Sequence, residues 1–212
     1  FEAEFHLIKD HINPFEKTNA SNLEDEFSQL NSLNFKVEHA TFLKSTALTK
    51  LPKWHEIDFI YSEEISIFEN MKNLNLWIFD GFSFKTDVTD VDTDLDIILE
   101  EKQGVCQDFT HLFCAIARSH NIPARYVSGY LHQGNGYFGD SQMHAWAEIF
   151  IPGCGWIGFD PTNNLIAAEN HIKVAHGKDY SDCPPIKGIV YTSGTNQTTY
   201  SVEVNAQQNA QQ

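Results

Sequence analysis

Three residues of the chain have the types and the order that thiol chemistry requires: Cys106 in Gly104-Val105-Cys106-Gln107-Asp108-Phe109, His144 well downstream, and Asp160 after a further turn. Together they make a nucleophile, a base and a group that orients the base. A free thiol is mostly protonated at neutral pH, so a nucleophilic cysteine needs a neighbour that favours the thiolate. A helix beginning at or just after Val105 supplies one, because its first N–H groups are unpaired and its dipole is positive there. An imidazolium supplies another, in the ion pair that thiol hydrolases use. Cysteine is also among the most buried residue types, and Cys114, within the same stretch, is read as core.

The elements that must hold these residues follow from periodicity. Val105, Phe109, Leu112, Phe113 and Ile116 fall at i, i+4, i+7, i+8 and i+11, which predicts a central helix ended by Asn121 and Pro123. Ala124 to Leu131 and Met143 to Ile151 read as strands separated by a Gly-rich loop, and Pro152 to Gly155 is a turn into Trp156 to Asp160. Alternation sets His144, Trp146, Glu148 and Phe150 on one face of their strand. For Asp160 to share that face, the connection must hold an odd number of residues or a bulge near Gly153 to Gly158. If Asp160 reaches a ring nitrogen of His144, it sets the tautomer and stabilises the imidazolium.

Earlier in the chain, Phe1 to Leu7 and Phe35 to Leu43 read as strands. Between them Ser21-Asn22-Leu23-Glu24 has capping-box spacing ahead of a helix lined by Leu23, Phe27 and Leu30. Helices are expected from Ser62 (Ile65, Phe68, Met71) and from Asp94 to about Gln103, the latter ended by Gly104 in a left-handed conformation. A last hairpin is expected over 189–204 and a disordered polar tail over 205–212. These elements sum to an α+β domain, a Cys-bearing helix packed on an antiparallel sheet.

Composition narrows the function. At 212 residues one core can bury about seventy per cent of the unfolded surface, so no staples are needed. The cysteines (Cys106, Cys114, Cys154, Cys183) form no CxxC pair or zinc-like cluster, which suits a reducing, cytoplasmic setting. A net charge of -15, from 14 basic against 29 acidic residues, excludes the clustered cations of nucleic-acid binding. No apolar run reaches a membrane span. The chain opens at Phe1 without an initiating Met, so a segment preceding it is expected to have been trimmed. No metal or cofactor is expected: HExxH spacing and a calcium loop are both missing, which leaves a metal hydrolase using His132 and His144 a poor reading.

Four segments carry a resemblance: Gly104 to Phe109; Ile122-Pro123-Ala124-Arg125-Tyr126-Val127-Ser128-Gly129-Tyr130; His144-Ala145-Trp146-Ala147-Glu148; and Gly155-Trp156-Ile157-Gly158-Phe159-Asp160-Pro161-Thr162-Asn163. With His171 to Tyr180 and Pro184-Pro185, where Lys178 stands in place of a more usual arginine, they resemble the core of bacterial transglutaminase-like proteins, often described as cysteine proteases. The resemblance implies a papain-like fold, with Cys106, His144 and Asp160 as nucleophile, base and orienting acid. It divides the chain into a remnant of an N-terminal β region (1–60), a catalytic core (61–204) and the tail.

The expected chemistry is attack of the Cys106 thiolate on a peptide or glutamine carboxamide, through a thioester that water hydrolyses. Transfer to an amine, as in a protein-glutamine transglutaminase, is the alternative, and a non-catalytic peptide-binding domain a second. Gln103 and Trp77 are weak candidates for a second oxyanion donor beside the Cys106 N–H. Trp146, Trp156 and Tyr180 are candidate cleft walls, each as readily core. Asp108 is read as structural, since a carboxylate beside the thiol disfavours the thiolate.

Overall fold

The computed structural model describes residues 5–9, 13, 22–53, 56–132, 137–138, 142–184, 188, 191, 193–194 and 202–204. Among the described residues, six α-helices precede and enter the core: α1 (Leu23–Asn31), α2 (Leu33–Glu38), α3 (Ala40–Leu43), α4 (Ile67–Gly81), α5 (Leu95–Glu101) and α6 (Cys106–Ser119). The strands are β1 (Ser83–Phe84), β2 (Gln103–Gly104), β3 (Ala124–Leu131), β4 (His144–Ile151), β5 (Gly155–Asp160), β6 (Leu165–Ile166) and β7 (His171–Gly177). The last five form one antiparallel sheet in the order β6-β5-β4-β3-β7, so the chain meanders through four strands and then crosses to the far side of β3. β1 and β2 form a short parallel ladder immediately before the Cys-bearing helix.

α6 is the centre of the molecule. Phe109, Leu112, Phe113, Cys114, Ile116 and Ala117 are all buried, packed with Ala147, Ile149, Ile151, Ile157 and Phe159 of the sheet and with Met71, Leu74 and Ile78 of α4. The Leu, Ile, Phe and Met side chains among these each contribute about 1.5–3 kcal/mol when removed from water. Near its other end, buried Arg118 donates to Phe42 O, Ala124 O, Thr49 Oγ1 and Lys178 O, which ties α3, the segment after it, β3 and the end of β7 to the helix.

The early strands are a correction. Residues 35–43 lie in α2 and α3, and among the described residues before 60 there is no strand. Ser32 caps α2 by accepting from Phe35 N–H, and Phe35, His39 and Phe42 fall at i, i+4 and i+7. That helical spacing points the three rings at Phe150 and Trp156. The 1–7 strand falls partly outside the described residues, and 5–7 form no element. Smaller shifts follow from caps: Ser66, not Ser62, caps α4, and Asn22 caps α1. Lys102 (φ 51°), not Gly104, takes the left-handed position after α5, since Gly104 is needed in β2. Most of the expected 189–204 hairpin and all of 205–212 lie outside the described residues.

Candidate active site

Cys106 is the first residue of α6, with Val105 extended before it (φ −116°, ψ 179°). Asp108 closes the start of the helix: its Oδ2 accepts from Val105 N–H at 2.8 Å and from the Thr89 hydroxyl at 2.7 Å. Burial raises the Asp108 pKa against those two hydrogen bonds. Its carboxylate is thus occupied in holding the turn, and a Cβ on Gly104 would meet it at 2.8 Å. The Cys106 side chain is half-buried against Tyr126, Ala145, Cys183 and Tyr180.

The connection between β4 and β5 is Pro152-Gly153-Cys154, three residues, with Gly153 and Gly155 at positive φ (78° and 84°). The odd number gives the register Ile151↔Gly155 to Ala147↔Phe159. Continued by one pair, it sets Asp160 opposite Trp146, on the face that His144 shares. His144 Nε2 then meets Asp160 Oδ2 at 2.7 Å, both side chains fully buried. The other ring nitrogen, Nδ1, is buried with no hydrogen-bond partner of ordinary geometry. Burial lowers the affinity of the ring for a proton, but Asp160 first and then Cys106 outweigh it and raise the His144 pKa to about 10. Asp160 moves the opposite way: burial raises its pKa, and His144, then His171, hold it well below the carboxylate range.

Asp160 is held from every side. Its Oδ1 accepts the N–H groups of Thr162 (3.1 Å) and Asn163 (3.3 Å), and its Oδ2 also accepts from Asn163 Nδ2 (3.0 Å) and His171 Nε2 (3.2 Å). Asn163 links this carboxylate to the loop before β4 by pairing with both the N–H and the C=O of Phe138. His171 and Asn163 were not singled out as site residues from sequence. The signal for His171 was slight: a histidine opening a strand-like alternation of Ile172 and Val174.

His144, Asp160 and His171 could each offer a metal one ligand atom, since those atoms lie within 4.8 Å of one another. The 2.7 Å His144–Asp160 separation is a hydrogen-bond distance. It is shorter than the roughly 3.3 Å kept by two ligands of a tetrahedral zinc bound at about 2.0–2.1 Å. The donor set as it stands fits paired hydrogen bonds.

The aromatic candidates separate. Tyr180 lies in the Cys106 group, its N–H donated to His111 Nε2 at 3.1 Å. Trp146 is 1% exposed and so is backing, not cleft wall: its ring meets His171 edge-on at 5.1 Å. It fits because a Cβ on Gly129 would come within 2.7 Å of it, and one on Gly158 within 3.3 Å. Trp156 sits at the opposite end of β5 under the Arg125 guanidinium (4.0 Å), between Phe42 and Phe150. Trp77 donates its indole N–H to Asp58 at 3.1 Å and packs on Phe59 and Phe82, which removes it as an oxyanion donor. Gln103, in β2, is half-buried with Nε2 at 3.5 Å from Glu101.

No helix among the described residues is long and apolar enough to cross a membrane. Residues 60–161 match the model of the transglutaminase-like superfamily. An uncharacterized protein of Mycobacterium tuberculosis (strain H37Rv) is 35% identical over 137 residues, covering 60% of this chain and 44% of its own length. A protein-glutamine gamma-glutamyltransferase of Pseudomonas aeruginosa is 31% identical over 88 residues, 39% of this chain and 13% of that protein. The chain therefore spans less than half the length of these curated relatives. A solved structure from Cytophaga hutchinsonii, named a "putative cysteine protease", superposes with a TM-score of 0.53 at 24% identity, over 86% of this chain and 60% of that one, and shows the fold. Strand register and helix start fit that match: over residues 60–161 the chain is similar to the transglutaminase-like superfamily.

Proposed function

We propose that the chain is a cysteine-dependent amide-bond enzyme acting on peptide or protein substrates, with Cys106 as nucleophile, His144 as base and acid, and Asp160 as the group that orients His144. The single observation that carries this reading is the sealed His144–Asp160 pair, which commits Nε2 at 2.7 Å and leaves Nδ1 for the Cys106 thiol at a helix start. The Cys106 thiolate attacks the carboxamide carbon, and the Cys106 N–H, with Gln103 as the remaining side-chain candidate, receives the oxyanion. His144 gives its proton to the departing amine or ammonia, leaving a thioester. His144 then takes a proton from the second substrate, which attacks that thioester.

Water as that second substrate gives hydrolysis, the reading we favour, because no built amine site is found among the described residues. Transfer to an amine is the second reading, favoured by the likeness to the Pseudomonas aeruginosa glutamyltransferase. Incubation with a glutamine-containing peptide, with and without a fluorescent primary amine, separates them. Ammonia or peptide cleavage without incorporated label is the expected result, and incorporated label gives the second reading. A thiol no more reactive to iodoacetamide at pH 6 than that of His144→Ala, with no turnover, overturns both.

A further inference from the structure

We propose that His171 is a positioning residue for this reaction, its Nε2–H on Asp160 Oδ2 holding that carboxylate against the His144 ring. The proposal rests on the reading of Cys106, His144 and Asp160 given above and assigns a role to a residue that reading does not use.

A carboxylate turns easily about its terminal torsion, whose wells are broad. Asp160 is prevented from turning by donors on both oxygens, but the two oxygens differ. Among the described residues, Oδ1 receives backbone N–H groups of the turn that follows β5, so it fixes the carboxylate to its own strand end. Oδ2 receives two imidazoles, from β4 at 2.7 Å and from the start of β7 at 3.2 Å, together with the Asn163 amide. His171 is the donor that joins a remote element to that oxygen. The His171 side chain is 3% exposed, so no water substitutes for its bond. Its ring is in turn set by the edge of Trp146, and its backbone by a hydrogen bond to Ala168 O and by the Lys9 ammonium on the Ala168 and His171 carbonyls. Among the described residues, the charged and titratable groups facing this cluster are His144 on β4, Asp160 on β5, Lys9 on the N-terminal segment with Glu169 near it and, beyond His144, Cys106 on α6; Lys173 on β7 is turned to Glu148.

Two things follow chemically. With Oδ2 accepting from Nε2 of both rings, His144 keeps its Nε2 proton throughout, and the mobile proton is the one on Nδ1. Asp160 also cannot swing from His144 to a competing donor, since the competing donor is already in place and fixed. Loss of the His171 donor loosens Asp160 on the Oδ2 side, weakens its hold on the His144 ring, and so weakens the support that ring gives to Cys106.

The test is alkylation of the intact chain by iodoacetamide between pH 4 and 9, with carboxamidomethylation of Cys106 followed by mass spectrometry and melting temperature measured alongside. In His171→Phe, which keeps ring volume but has no donor, the rate at pH 6 should fall at least tenfold and the midpoint of the profile should move up towards that of a free thiol. In His171→Gln, whose amide nitrogen reaches about as far as Nε2, both should stay within about threefold of the parent. If the phenylalanine variant does not fold, His171→Asn, a shorter amide, replaces it with the same expectation. A profile in the donor-less variant that matches the parent while His144→Ala is slow overturns the role of His171 alone. So does a glutamine variant as slow as the phenylalanine one, which makes the role one of packing. A parent no faster than His144→Ala overturns the triad reading and this proposal with it.

Discussion

The same face of the same sheet carries two charge networks, a few residues apart, that are built on opposite plans. At one end of β4, His144 and His171 share Asp160, one carboxylate between two titratable rings, all sealed from water. At the other, Glu148 sits between Arg125 (2.5 Å) and Lys173 (2.9 Å), one carboxylate between two permanent cations, with side-chain exposures of 12%, 11% and 38%. β4 supplies His144 and Glu148, and β7 supplies His171 and Lys173. Glu148 holds two long cationic side chains at once, and Arg125 is further committed to the Trp156 ring. Asp160, by contrast, holds two imidazoles, and its contact with His144 raises the pKa of that ring. What separates the two clusters is the kind of side chain that holds the carboxylate, together with the exclusion of water.

That contrast can be broken at either end. Asp160→Asn keeps shape and removes the charge and acceptor that set the His144 tautomer, so turnover of a glutamine peptide should fall on the order of a thousandfold with the fold retained. An activity within tenfold of the parent makes the sealed cluster structural.

The pH dependence should also differ. His144 has a raised pKa in the folded chain, so its stabilisation is whole below about 6.5 and is lost as the pH climbs towards 10. Asp160 is lowered, so its share is present above its ordinary carboxylate value and is lost as the pH falls below it. Melting temperatures from pH 6 to 10 should therefore decline in the parent and flatten in His144→Gln. Glu148→Gln should decline like the parent.

At the open end the effects are smaller. Glu148→Gln should cost about 1–2 kcal/mol of stability in chemical denaturation and leave turnover within about twofold. Lys173→Ala should cost no more than about 0.5 kcal/mol, a loss that 1 M salt should largely erase, since this cation is partly in water. A thousandfold loss of turnover in either variant would erase the distinction.

The sequence made one half of the cluster legible and hid the other. His144 and Asp160 lie on adjacent strands joined by a short turn, so alternation and loop parity were enough to bring them together. The α6 helix and β3 were legible because their apolar residues repeat over many turns and pairs. His171 reaches Asp160 only after the chain has left β5, formed β6 and crossed to β3, and no local pattern records that return. The helices α2 and α3 were hidden for a simpler reason. His39 completes the i, i+4, i+7 stripe of Phe35 and Phe42, but a histidine does not count as apolar, so Phe35, Val37 and the residues after them read as a strand. For Trp77 and Trp156 the choice between site and core stayed open, because residue type alone cannot say which end of an element faces the site.

The three-residue link Pro152-Gly153-Cys154 carries a consequence of its own. Its length obeys a rule of parity: one residue more or fewer sends Asp160 through to the other face while β4 and β5 still pair, and two more restore it. Length variation at this link should therefore be tolerated only in steps of two. A single-residue insertion there is a clean way to keep the sheet and silence the chemistry.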